Sequence, residues 1–229
     1  MTLILSIETA VSVCSVALHN DDGLVGLMEL RQENIHAQKL MPLIKDLLGQ
    51  VGVGSGALDA VAVSEGPGSY TGLRIGVSTA KGIAFAHQLP LIAVGTLDAL
   101  AHQVVDMVEP ESFIVPLIDA RRMEVYSKVF DGKLQEIEPI TPVIVDEKSY
   151  AAYLESGRVY CCGDAVGKVA EVIDHPNARF LKVYNSAASV GDLALKKFRQ
   201  KDFVDLAYFE PNYLKEFRVL KSKKNPLAL

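Results

Sequence analysis

The stretch Asp59-Ala60-Val61-Ala62-Val63-Ser64-Glu65-Gly66-Pro67-Gly68-Ser69-Tyr70-Thr71-Gly72 decides the fold. Residues 59–64 form a nearly continuous apolar run, the pattern of a strand covered on both faces. Residues 65–72 are turn chemistry that leads into a helix over 72–87, with Ser69 or Thr71 available as its cap. Residues 89–94 repeat the apolar run, so a helix lies between two buried strands.

Working back towards the N-terminus, residues 3–7, 13–18 and 24–30 read as strands. Asn20-Asp21-Asp22-Gly23 supplies the hairpin turn between the last two. A helix is expected over 36–48, where Leu40, Leu43, Ile44 and Leu47 recur at helical spacing and Pro42 falls near the first turn. A glycine-rich loop follows at 49–56, and beyond residue 94 a helix over 96–108 is expected.

From residue 113 a similar order returns. Strands are expected at 113–118, 124–130 and 134–138, then a helix at 147–155, a strand at 159–162, a helix at 165–173, a strand at 180–183 and a helix at 186–199. Three antiparallel strands followed by helix, strand and helix, twice over, predict a duplicated α/β fold of two similar domains, residues 1–108 and 109–229. This is the architecture of the actin, sugar-kinase and Hsp70 (ASKHA) superfamily.

The glycines at 66, 68 and 72 are compatible with a phosphate cradle, because a loop entering a helix aims backbone N–H groups at an anion. The segment has no Gly-Lys-Ser/Thr ending and misses the G-x-G-x-x-G spacing, which favours a structural role. The helix after it carries Gly72, Gly76, Ala80 and Ala84 at intervals of four, a small-residue ridge that another helix could approach closely. Leu73, Val77, Ile83 and Phe85 make the rest of it apolar, so it should be covered on more than one side. Between residues 49 and 88 the only charges are Asp59, Glu65, Arg74 and Lys81. Cover from the 36–48 helix or from a second chain would each satisfy this pattern.

Composition narrows the function classes. The net charge of −5 argues against a protein that grips nucleic acid over its whole surface. The apolar run at the N-terminus stops at Glu8, too soon for a signal or membrane segment, so a cytoplasmic location without membrane attachment is expected. Cys14, Cys161 and Cys162 sit in apolar runs without C-x-x-C spacing and read as buried free thiols. The five histidines form no H-x-x-x-H pair, so a locally built metal site is not expected. Glu8 and Asp119 end equivalent strands, where paired carboxylates could hold magnesium for phosphoryl transfer or could merely cap turns.

Three segments together carry a family resemblance: Ile4-Leu5-Ser6-Ile7-Glu8-Thr9-Ala10, Gly66-Pro67-Gly68-Ser69-Tyr70-Thr71-Gly72-Leu73-Arg74-Ile75-Gly76, and Ile118-Asp119-Ala120-Arg121-Arg122-Met123-Glu124-Val125-Tyr126. They resemble the TsaB (YeaZ) family, and Pro211-Asn212-Tyr213-Leu214 is similar to its C-terminal P-x-Y-L element. The resemblance implies a subunit with no catalytic residues, cofactor or metal of its own. It implies binding to TsaD, the catalytic paralogue, and to the ATPase TsaE, for threonylcarbamoylation of adenosine in tRNAs that read ANN codons. The paralogue holds its metal through an N-H-L-E-G-H sequence, and here Thr96 and Leu100 stand where its imidazoles would be. The family usually has aspartate where this chain has Glu8, which leaves nucleotide binding there open.

The surface expected to meet the paralogue, or a second copy of this chain when the paralogue is absent, comprises His36, Leu40, Leu43 and Leu47 with Gly76, Ala80, Ile83 and His87. Contact with tRNA is expected through the complex, with the basic residues Lys215, Arg218, Lys221, Lys223 and Lys224 as a further candidate. The alternative reading is an ATP-dependent phosphotransferase built on Glu8, Asp119 and the glycine segment.

Overall fold

The computed structural model describes residues 1–214, so Lys215, Arg218, Lys221, Lys223 and Lys224 lie outside the described residues. The first half contains β1 (Leu3–Glu8), β2 (Val13–Asn20), β3 (Gly23–Arg31), α1 (His36–Val51), β4 (Ala60–Gly66), α2 (Tyr70–His87), β5 (Leu91–Gly95) and α3 (Thr96–His102). The second contains β6 (Phe113–Asp119), β7 (Glu124–Asp131), β8 (Glu136–Ile144), α4 (Ala151–Ser156), β9 (Val159–Gly163), α5 (Val166–Ala170), β10 (Ala178–Leu181) and α6 (Ala187–Gln200).

Each half builds a five-stranded sheet, ordered β3-β2-β1-β4-β5 in the first and β8-β7-β6-β9-β10 in the second. The two orders are the same path traced twice. In each, the first three strands pair antiparallel and the next two add in parallel. The duplicated ASKHA architecture expected from strand order is the one observed.

Strand β1 is buried on both faces because its side chains alternate between two cores. Leu3, Leu5 and Ile7 join Leu40, Ile44, Leu47, Val77, Ala80 and Ala84 beneath α1 and α2. Ile4 faces the other way, into a cluster with Val190, Ala194 and Leu195 of α6. The last helix of the chain thus packs on the first half's sheet. Reciprocally, Leu97, Leu100 and Ala101 of α3 pack against Ile114, Ile118, Tyr126 and Cys162 of the second sheet.

After α6 the chain also returns to the first half. Val204 bridges to Leu91, the Lys81 ammonium donates to the carbonyls of Ala207 and Phe209 at 3.2 and 3.1 Å, and the Asn212 N–H donates to the Glu65 carbonyl at 2.7 Å. The compact body around the first sheet therefore includes residues from the far end of the sequence.

Several boundaries differ from expectation for identifiable reasons. Helix α1 runs on to Val51 and is stopped by Gly52, whose φ of 75° is left-handed. Strand β8 continues through Pro139 and Pro142 to Ile144 because it is a sheet edge, where a missing N–H costs no ladder bond. Leu134 is not in that strand but in the preceding turn, at φ 62°. The three cysteines are free and buried, as read from the sequence, and burial pushes Cys14 up to about 11 and Cys161 up to about 12. Among the described residues no helix is long and apolar enough to cross a membrane.

Candidate functional site

A cleft of about 1370 Å³ separates the two sheets' connecting turns. One wall is the β1–β2 turn with the start of α2; the other is the β6–β7 turn with Asp164. Ser12, His36, Ser69, Asp119, Arg121 and Tyr126 are among its lining residues.

The glycine segment serves packing at the mouth of this cleft. Ser69 caps α2, accepting from the Gly72 N–H at 3.3 Å, and its own N–H donates to the Ala10 carbonyl at 2.6 Å. A Cβ added at Gly68 would lie 2.3 Å from the Ala10 oxygen, and one at Gly72 would lie 2.1 Å from the Thr9 oxygen. The glycines are therefore small because the β1–β2 turn sits directly on them. The close approach of Thr9 and Ala10 accounts for glycine at positions 68 and 72 without a bound phosphate.

The two strand-ending carboxylates differ in setting. Glu8 is fully buried; its Oε1 accepts from the Ala10 N–H at 2.6 Å and the Ser64 hydroxyl at 3.1 Å, while Oε2 has no hydrogen-bond partner. Burial raises its pKa from 4.5 to about 7, against the opposing pull of those two donors. Asp119 is exposed and held by Lys168, whose ammonium lies 2.7 Å from Oδ1 and also donates to the carbonyls of Arg122 and Glu124. That one ammonium pins a turn in which Arg121 and Arg122 both have positive φ. The carboxylate is thus engaged in turn structure.

Thr96 and Leu100, where the resemblance puts the paralogue's imidazoles, are both fully buried. The Thr96 hydroxyl accepts from the Gly66 N–H at 3.1 Å, which ties α3 to the end of β4. Leu100 is core between the halves. Among the described residues no three His, Cys, Asp or Glu side chains converge as a metal-holding group.

The helix pair α1–α2 carries the residues expected at a partner surface, and the structure divides them. His36, Leu40, Leu47, Gly76 and Ala80 are buried within this chain. Leu43 and Ile83 are half-buried, and His87 is exposed. The small-residue ridge faces inward: Gly72 and Gly76 pack on Thr9, and Ala80 and Ala84 pack on the sheet. The five buried positions offer no side-chain surface to a partner, because the polypeptide's own sheet and turn cover the ridge that sequence spacing alone left unassigned.

Large apolar side chains nevertheless stand on the outward sides of these helices. Phe85 is 77% exposed and Met41 is 53% exposed. Gly82, three residues before Phe85 on α2, is exposed and has open space where a Cβ would be. Phe85 belongs to the apolar face for which the sequence leaves the cover open, and its place opposite the small-residue ridge of α2 is the signal for its exposure; Met41, on α1, is not among the residues expected at the partner surface.

Two sheets of one order facing a common cleft define a member of the actin, sugar-kinase and Hsp70 superfamily. Within that class, the model of the family described as TsaD, tRNA N6-adenosine threonylcarbamoyltransferase, matches residues 18–204. The TsaB protein of Haemophilus influenzae is 28% identical over 93% of this chain and 93% of its own length. That of Escherichia coli is 40% identical over 54% of this chain and 52% of its own, and that of Bacillus subtilis 32% identical over 61% and 59%. The solved structure of YeaZ from Pseudomonas aeruginosa superposes with a TM-score of 0.81 at 28% identity, covering 93% of this chain and all of that one. The chain belongs to the TsaB (YeaZ) family of tRNA threonylcarbamoyladenosine biosynthesis proteins, within the group matched by the TsaD model.

Proposed function

We propose that this chain is a non-catalytic subunit that pairs with a TsaD-like paralogue, and with a TsaE-like ATPase, in threonylcarbamoylation of adenosine in tRNAs reading ANN codons. The observation that carries the reading is the use of Thr96 and Leu100 as interior structure, at the two positions where the paralogue's metal ligands would stand. A hydroxyl engaged with a backbone N–H and an alkyl group are not transition-metal ligands. The packing of Gly72 and Gly76 on Thr9 and the Lys168–Asp119 ion pair point the same way, since both give these residues structural work.

Pairing runs through the outward sides of α1 and α2, with Met41 and Phe85 as anchors and Leu43, Ile83 and His87 around them. A paralogue of the same fold presents the equivalent helix pair, so the contact is a four-helix seam between like partners. In the absence of the paralogue, a second copy of this chain can take its place. Exposed aromatic and methionine side chains suit such a role, since burying them supplies much of an interface's binding free energy. The tRNA is met through the assembled complex, and the cellular setting is the cytoplasm.

Reconstitution tests the proposal. Purified paralogue, ATPase and tRNA, supplied with an activated threonylcarbamoyl donor and ATP, should modify the tRNA poorly without this chain and well with it, while this chain alone shows no affinity for magnesium ATP by calorimetry. Tight nucleotide binding by the isolated chain, together with no effect on modification, would instead support the phosphotransferase reading based on Glu8 and Asp119.

A further inference from the structure

The helices that end each half lie on the opposite half's sheet, and each carries one carboxylate that meets a buried base on the second strand of that sheet. On α3, Asp98 Oδ1 lies 2.7 Å from the Lys128 ammonium of β7, whose side chain is only 9% exposed. On α6, Asp192 Oδ1 lies 3.4 Å from Nε2 of His19 of β2, whose side chain is fully buried. The other oxygen of Asp192 lies 3.8 Å from Nε2 of His102, the last residue of α3. Polar contacts therefore link His19 of the first sheet to Asp192 of α6 and His102 of α3, and from the same helix α3, four residues earlier, Asp98 reaches Lys128 of the second sheet.

The surroundings fix these groups in place. A Cβ at Gly191 would fall 2.1 Å from the His19 ring, so α6 approaches β2 as closely as a glycine permits. A Cβ at Gly95 would fall 2.1 Å from Asp98 Oδ2, so the carboxylate lies against the turn before α3. Glu136 makes a second ion pair with Lys128 at 2.7 Å, and the Phe130 ring lies 4.9 Å from the same ammonium. Burial lowers the pKa of Lys128, but the two carboxylates more than offset this and hold it above the usual ammonium value. The Ala187 N–H donates to the Ser15 hydroxyl at 2.9 Å, and the Gln103 amide donates to the Ser189 hydroxyl at 3.3 Å.

We infer that α3 and α6 form a polar spine that locks the two halves into one rigid body, so that this chain does not open and close about its cleft. Domain closure requires elements at the interface to slide or hinge. Here each interfacial helix is bound to the other half's sheet, and the two helices are bound to each other. Sliding would leave a buried ammonium without its partners, a state strongly disfavoured in a low-dielectric interior.

Distance measurement between spin labels decides the matter. Lys45→Cys on α1 and Glu155→Cys on α4 place labels on exposed positions of the two halves, while the native thiols are buried. One narrow distance distribution is expected in the otherwise unaltered chain, retained by Lys128→Arg. Lys128→Met and Asp98→Asn should each add a second, displaced population. Asp98→Asn keeps the side chain's shape at a position one-third exposed, and it supplies the answer if Lys128→Met does not fold. A broad or two-peaked distribution before mutation, or a single unchanged peak in Asp98→Asn, overturns the inference.

Discussion

The Thr9 hydroxyl donates to the Gly72 carbonyl at 2.9 Å and lies so close to Gly76 that a Cβ there would be 2.1 Å from it. This contact joins the first turn of the chain to the second helix. Gly76→Ala should destabilise the fold by about 1–3 kcal/mol through overpacking, despite alanine's better helix propensity. Chemical denaturation of Gly76→Ala, Thr9→Ala and the double variant checks this; the double should cost less than the sum of the two singles.

The same inward orientation separates two substitutions on one helix. Ala80 is fully buried, so Ala80→Arg should cost more than about 3 kcal/mol and abolish the fold rather than report on pairing. Ser78, exposed on the same helix, should accept arginine within about 0.5 kcal/mol. Thermal melts of the two variants measure the difference.

Glu8 gives stability a pH dependence of unusual sign for a carboxylate. Its folded pKa, raised by burial to about 7, exceeds the ordinary 4.5, so the folded state holds more protons between those values. Stability is greatest below pH 4.5 as far as this group is concerned, and it falls by about 3 kcal/mol as pH rises to 7. Glu8→Gln should remove that fall. Unfolding free energies measured across this pH range for both proteins check it, and a slope that survives in Glu8→Gln assigns the effect elsewhere.

Lys81 holds the returning chain through two carbonyls. Lys81→Met keeps the aliphatic stem and removes the donor, so stability should fall by about 1–3 kcal/mol. Hydrogen exchange should quicken at the Val204 and Asn212 amides, which donate to Leu91 and Glu65, and stay unchanged in β1.

Much of this was legible in the sequence because it is local or periodic. The repeated order of strands and helices gave the duplicated fold, and the Ser69 cap and the buried cysteines followed from neighbours a few residues away. Covering partners were not legible. Which side of the 72–76–80–84 ridge met the sheet depended on Thr9, more than sixty residues earlier, and the placement of α6 on the first sheet depended on contacts across most of the chain. Local spacing shows that a helix needs cover on two sides but not which side receives it from within. The strand expected at 134–138 extends past Pro139 and Pro142 for a related reason, since only the sheet order reveals an edge.

Sedimentation equilibrium of this chain with its TsaD-like paralogue, comparing the native sequence with Phe85→Glu and Met41→Glu, tests the pairing surface most directly. Both side chains are exposed, so the variants should melt within about 0.5 kcal/mol of the native chain. Loss of the heterodimer in both is the expected result; a heterodimer of native affinity in both would contradict the seam.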